Sequence, residues 1–481
     1  MSQAIVVPGR PGFNALLWWF QGPSANLADY RFELDGKPLN PVPRILNVGT
    51  VLGMVTGKAG EVAQRTFLAV TTHNDGAPGA PHTLRVFYKN SPGNLAYSRT
   101  LPSTADGLKV VVASCYYDGN NRLLANAPLP QTYLNIQNTP HVKVLSGDQI
   151  YLDLEFWGLV PAPLDNTWQR YEEQWYESRF LAWMSRGGNL CIADDHEFWN
   201  NYPSSRRAGI LSGIFKRPPQ AIADDMNRAF MIYQAVLNAD PDTLAAGGPL
   251  TEEELHCFEF PGKLAPASLS KTFSMLVLDT RTQRSDPPPA GVQTGQFSEP
   301  AWLATTIQRV QQREAPVLLV TSQSMLDKGG DATDSNLNDY KRQFDALWLA
   351  LLSRKHSTLL LTGDIHWSRA QQITKANSDQ DVHDYEIVSS ALSRIAYGTG
   401  RPPESPNKIE GGGSTIRFVR TGETFASNNY AILEFENHSF GLRCVARWWM
   451  IDGDGKHIPV DTAETLGSNA RQQMFINLDL S

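Results

Sequence analysis

Four short apolar runs in this chain each end, at the carboxyl side, in polar residues that are poor strand formers and good metal ligands. The endings are Ala113-Ser114-Cys115, Ser146-Gly147-Asp148-Gln149-Ile150-Tyr151, Ala193-Asp194-Asp195-His196-Glu197-Phe198-Trp199-Asn200-Asn201 and Thr362-Gly363-Asp364-Ile365-His366-Trp367. In open α/β sheets ligands collect where strand ends meet, because loops converge there without breaking the sheet. From residue 110 onward apolar strands alternate with amphipathic helical stretches, which predicts a layered α/β unit. The pattern places strands over 110–113, 142–145, 190–193, 275–278, 317–320 and 358–361, and helices over 167–186, 219–238, 299–313 and 336–354. A closing hairpin is expected from 430–435 and 442–448, in the same sheet system.

Ahead of this unit, residues 13–100 hold runs rich in branched and aromatic side chains, such as Leu16-Leu17-Trp18-Trp19-Phe20, separated by Gly, Pro, Asn and Asp turns. Strands at such spacing predict a small β-sandwich, and the polar stretch from Ser98 to Lys109 reads as a linker. The expected organisation is an N-terminal β-sandwich domain over 1–105 and the α/β domain over 106–481. A chain of 481 residues fits two or three packed units.

Charge excludes some partners. The 42 basic and 49 acidic residues sum to −7, and no run of lysines or arginines could form a nucleic-acid tract or a membrane-binding face. No stretch is long and apolar enough to span a bilayer. The first residues show neither a basic segment ahead of an apolar core nor a twin-arginine pair, and four scattered cysteines make no disulfide framework. A cytoplasmic location is the expectation, or export if a signal has been removed.

The donor types at the strand ends are of two kinds. Carboxylates suit hard cations, whereas a thiolate, a phenolate and an imidazole together suit a more Lewis-acidic transition metal such as iron. The blocks VASC, SGDQIY, DDHEFWNN and LTGDIHWS, in this order and with Leu278-Asp279-Thr280-Arg281 between the third and fourth, resemble the signature series of the PhoD-like (alkaline phosphatase D) branch of the calcineurin-like metallophosphoesterases. The resemblance covers roughly residues 108–440. It implies a layered α-β-β-α metallophosphoesterase sandwich preceded by a small N-terminal β-sandwich. It also implies hydrolysis of small phosphomonoesters or phosphodiesters by a metal-activated water.

Carried over position by position, the resemblance implies that Cys115, Asp148 and Tyr151 hold an iron-like ion, Fe3+, with Asp148 bridging to a second metal. Asp195, Asn201 and Asp364 would serve that second site, a Ca2+, and His366 would complete the cluster without assignment to either ion. His196 is the expected general acid, and Arg281 could steady a phosphate oxygen through a charge-assisted fork. Two departures stand out: the DxH pair that opens the broader superfamily motif is replaced by Ser114-Cys115, and the export signal usual in this family is not visible.

Plainer readings exist for each residue. Cysteine at a strand end is commonly a small core residue, and Cys191, Cys257 and Cys444 keep that reading. Asp-Asp-His at 194–196 could cap a helix, leaving Asp194 structural. Asp279-Thr280-Arg281 could be an ion-pair cluster, and Trp157, Trp199 and Trp367 could be pocket wall or core. His256, His356 and His383 read as surface or satisfied internal residues, and Glu197 has no role derivable from the sequence. A serine nucleophile is disfavoured because no Gly-x-Ser-x-Gly elbow surrounds Ser114 or Ser322. The alternative to an enzyme is a non-catalytic protein that binds phosphate or another ligand on the same metal-stabilised fold.

Overall fold

In the first sheet of the α/β unit, Lys109–Ala113, Val142–Ser146 and Gly188–Ile192 run parallel, and Asn429–His438 and Gly441–Ile451 extend it antiparallel from Lys109–Ala113. The second sheet has a parallel centre of Phe273–Leu278, Val317–Gln323, Thr358–Gly363 and His383–Val388, flanked by antiparallel Cys257–Leu264 at one edge and by Arg369–Thr374, Ser414–Arg420 and Lys408–Gly411 on the other side. These come from a computed structural model that describes residues 2–39, 43–73, 76–117, 129–155, 160–161, 166–204, 218–264, 273–288, 292, 294–326, 336–366, 368–374, 383–389, 392–393, 408–411, 414–420, 428–438, 441–451, 456–459 and 474–479.

The period-2 alternation of each strand sorts its side chains between two cores. Val110, Val112, Val142, Val144, Leu190 and Ile192 face Met275, Val277, Leu318, Val320, Leu359 and Leu361, so the two sheets pack face to face. The alternate residues Val111, Ala113, Leu145 and Cys191 point outward, under Trp175, Phe180, Trp183, Phe230 and Tyr233. On the far side, Leu276, Leu278, Leu319 and Leu360 lie under Trp302, Val310, Phe344 and Leu347. The order is helix, sheet, sheet, helix. That is the α-β-β-α layering that the family resemblance implied. Strands buried on both faces must be apolar at every position, which is why they read as continuous runs and not as alternating ones.

The predicted helices are present with interruptions. The stretch 167–186 divides into Thr167–Tyr176 and Ser178–Met184, because Glu177 adopts an extended conformation and its carboxylate accepts the N–H groups of Arg179 (2.9 Å) and Phe180 (2.8 Å) as an N-cap. Gln220–Tyr233, Pro300–Gln312 and Lys341–Leu352 occupy the other three stretches.

The N-terminal region forms two four-stranded antiparallel sheets, Ile5–Pro11, Ala15–Gln21, Thr66–Thr72 and Arg44–Asn47 in one, and Lys37–Pro38, Tyr30–Leu34, Pro81–Tyr88 and Ser91–Arg99 in the other. It also contains two helices, Val48–Val51 and Gly57–Gln64, that the strand pattern did not predict. Its strand Ala15–Gln21 is buried on both faces: Leu16, Trp18 and Phe20 fill the sandwich, while Leu17 and Trp19 enter the same core as the helices of the α/β unit. The Trp19 indole N–H donates to the Ile232 carbonyl at 2.8 Å. The presumed linker is also packed, with Leu101, Ala105 and Leu108 in the core between the two sheets of the α/β unit.

Trp19→Ala is therefore expected to cost about 3–5 kcal/mol of unfolding free energy, measured by denaturant titration. A second expectation concerns acid. Burial, reinforced by the nearby Arg99 and Lys109, lowers the pKa of His141 to about 3, and its Nδ1 accepts the Lys109 N–H at 3.1 Å. The unfolded chain thus takes up a proton near pH 6.5 that the folded chain refuses, so stability is lost as pH falls from about 6.5 towards 3. His141→Gln removes that proton uptake, and the stability difference between native and variant protein should shift in the variant's favour by about 2–3 kcal/mol between pH 7 and pH 4.5.

Candidate metal centre

Every predicted site residue lies among the described residues, and eight of the nine meet in one place, His196 through a ring nitrogen within 4.8 Å of ligand atoms of Asp148 and Asp195. Cys115, Asp148 and His366 bring ligand atoms within 4.8 Å of one another; so do Asp148, Asp194, Asp195 and Asp364. Asp148 belongs to both groups. Tyr151 joins the first, its hydroxyl 3.1 Å from His366 Nε2, while Cys115 Sγ lies 3.5 Å from Asp148 Oδ2. Asn201 joins the second through its N–H, which donates to Asp195 Oδ2 at 2.6 Å. His366, left unassigned by the sequence, sits on the thiolate and phenolate side.

The backbone has to bend sharply to achieve this. Among the described residues seven non-glycine residues have positive φ, and five of them are site residues: Cys115 (58°), Asp148 (55°), Asn201 (65°), Asp364 (74°) and His366 (54°). The other two, Asp35 and Lys89, sit in hairpin turns. Left-handed conformations at non-glycine residues cost of order 1–3 kcal/mol each and persist where the surroundings over-determine them. The glycines do different jobs. Gly147 is itself left-handed (94°), and a Cβ there would lie 2.4 Å from the Asp194 Cβ. Gly363 instead leaves room for Ser114 and Ser146, whose hydroxyls would be 2.6 and 2.7 Å from a Cβ, and the turn is made by Asp364.

Around the cluster the second ring of contacts is tight. His196 donates its backbone N–H to Asp148 Oδ1 (3.2 Å), and its Nδ1 lies 2.7 Å from Asp153 Oδ1. A carboxylate can only accept, so Nδ1 carries the hydrogen and Nε2 is left for chemistry. Burial works against the imidazolium, but Asp153 and Asp195 outweigh it and hold the His196 pKa well above its ordinary value. Asp153 Oδ2 also accepts the Asn200 N–H at 2.7 Å, leaving Asn201 as the member of that pair facing Asp195. Gln323 donates to Asp364 Oδ2 at 3.0 Å.

Glu197 is buried and accepts the backbone N–H groups of Asp148 (2.9 Å), Gln149 (2.6 Å) and Asp194 (2.8 Å). Sequence reasoning missed both Glu197 and Asp153. The DDHE block did contain the capping spacing that places Glu197 against Asp194, but the partner loop at 147–149 is distant in sequence.

Arg281 lies elsewhere. Its side chain is fully buried, its Nε donating to Asp194 Oδ1 and its Nη1 to the Tyr202 carbonyl (2.8 Å), so the expected fork toward a phosphate oxygen is turned instead onto protein groups. His256 is a satisfied internal histidine, with Nδ1 2.8 Å from Asp279. Trp199 is core, and Trp157 and Trp367 lie outside the described residues.

The donor set fits metal ions. Burial first, then the neighbouring Cys115 and Asp195, raises the Asp148 carboxyl well above the usual range, and burial with Cys115 does the same to the Tyr151 phenol. Buried anions this close resist ionising together unless a cation lies between them. Asn201 Oδ1 is buried with no hydrogen-bond partner among the described residues, as a carbonyl oxygen reserved for a ligand bond would be.

Among solved structures, that of PhoD superposes on this chain with a TM-score of 0.56, covering 95% of this chain and 91% of that one at 14% sequence identity. The chain has a PhoD-like fold. No family model and no curated protein matches it. At this identity the PhoD likeness establishes the architecture, and chemistry must be argued from the residues. No helix among the described residues is long and apolar enough to cross a membrane.

Because Asp148 is shared by both halves, Asp148→Asn is expected to lower metal content at both positions, whereas Asp364→Asn should spare the Cys115 side. Elemental analysis of the two purified variants checks this.

Proposed function

We propose that the chain is a metal-dependent phosphoester hydrolase acting on small phosphomonoesters, phosphodiesters or both. In this reading Fe3+ is held by Cys115, Asp148, Tyr151 and His366, and Ca2+ by Asp148, Asp195, Asn201 and Asp364. The observation that carries it is the placement of His196: an imidazole locked through Nδ1 by Asp153, with its backbone tied to Asp148 in the middle of the cluster. A ligand cage needed only for stability has no use for a buried, tautomer-fixed histidine at its edge. The PhoD-like fold and the clustered donors support the same reading.

When bound, such metals neutralise charge on the phosphate oxygens and supply a nucleophilic water at neutral pH. The protein's own contribution is positional and protonic. Asp148, Asp195 and Asp364 fix where the ester's phosphorus can sit, and His196 holds a proton at Nε2 for the departing oxygen. Asp153 prevents the ring from turning. Arg281, buried behind the cluster, contributes through Asp194 and not by touching substrate.

His196→Asn is expected to reduce kcat by about 10²- to 10⁴-fold on p-nitrophenyl phosphate or bis-p-nitrophenyl phosphate while metal content stays at the native level. Full activity in this variant would refute the assignment, and a native protein that is metal-loaded yet inert on both esters would favour the non-catalytic binding reading.

A further inference from the structure

The cluster holds one carboxylate more than the two metal sites above employ. Asp194 has a ligand atom within 4.8 Å of those of Asp148, Asp195 and Asp364, and it is fully buried. Its Cβ lies against Gly147, the residue before Asp148, at a spacing that leaves no room for another side chain. Nothing about its chemical type separates it from the carboxylates beside it.

What separates it is its partners. Arg281 Nε and the Ser322 hydroxyl (3.3 Å) both donate to Asp194 Oδ1, and the Asp194 N–H is held by Glu197. Arg281 is in turn entirely buried and held at two further points: its backbone N–H donates to Asp279 Oδ1 (2.8 Å) and its Nη1 to the Tyr202 carbonyl. A buried guanidinium fixed in this way cannot swing to a substrate, and its Nε is committed to the Asp194 carboxylate. Tyr202 immediately follows Asn201, so the same side chain also anchors the loop carrying that ligand.

We propose that Arg281 is a positioning residue that withholds Asp194 from the metal cluster. It sets the charge count of the hard-cation site at three carboxylates and one amide, where an unneutralised Asp194 would make four carboxylates. Affinity and choice of cation at oxygen sites depend on ligand charge count, so this ion pair is a selectivity device, and it rests on the two-metal reading above.

The test uses the full chain and Ca2+ alone, titrated by calorimetry into metal-depleted native protein, Arg281→Met, Asp194→Asn and the double variant. In Arg281→Met the Kd for Ca2+ is expected to tighten by about tenfold, since a positive charge is removed and a carboxylate released. Adding Asp194→Asn should return it to within about threefold of native, a reversal that loss of fold could not produce. An unchanged or weakened Kd in folded Arg281→Met overturns the proposal, as does a tenfold loss of affinity in the double variant, which would make Asp194 a ligand. If Arg281→Met does not fold, the double variant, which leaves no buried charge unpaired, decides by that same criterion: native-like affinity supports the proposal. Native protein that binds no Ca2+ would instead sink the two-metal reading itself.

Discussion

The Glu197 carboxylate is the contact on which the site depends. It accepts N–H groups from the turn after Val142–Ser146 and from the turn after Gly188–Ile192, and so ties together the ends of two adjacent parallel strands. Without a common acceptor those N–H groups would be buried donors facing one another across a narrow gap, each costing of order 1–3 kcal/mol. Burial raises the Glu197 pKa to about 7, against the pull of the hydrogen bonds that favour its ionised form. Gln234, on the helical layer outside the sheet, also donates to it at 3.3 Å, so the knot reaches from the strand ends into the covering helices.

From this knot outward the structure places strain and rigidity side by side. Five left-handed non-glycine residues in one small volume are unfavourable taken singly, and they are held because the strands that carry them are locked in a dry core between two sheets. The helical layer over the first sheet is in turn covered by the N-terminal sandwich, through Leu17 and Trp19. Layer upon layer, the fold fixes the strand ends, and the strand ends fix the donors. Two ion pairs then divide the acidic groups by role: Asp153 orients His196, and Arg281 neutralises Asp194.

Much of this was legible beforehand. Runs such as Val110-Val111-Val112 and Leu359-Leu360-Leu361, alternating with amphipathic helical stretches, predicted a layered α/β unit, and they are apolar at successive positions because both faces of each sheet are covered. The clustered donor groups were legible because carboxylate, thiol, phenol and imidazole groups recur at strand ends, where local sequence alone says that they will be presented. Errors arose where a residue's role depends on something far away in the chain. Arg281, which could have steadied a phosphate oxygen, pairs with Asp194, and the stretch read as a linker packs Leu101, Ala105 and Leu108 between the two sheets.

The sequence by itself determined the layers, the strand ends and the chemical types gathered there, since hydrophobic period and residue identity are local properties. Tertiary structure decided which acids act together and which are cancelled. Arg281 is 87 residues from Asp194, Asp153 is 43 from His196 and Glu197 is 49 from Asp148. A charge's role is set by what lies within a few ångströms of it in a medium without water, and no spacing along the chain encodes that distance.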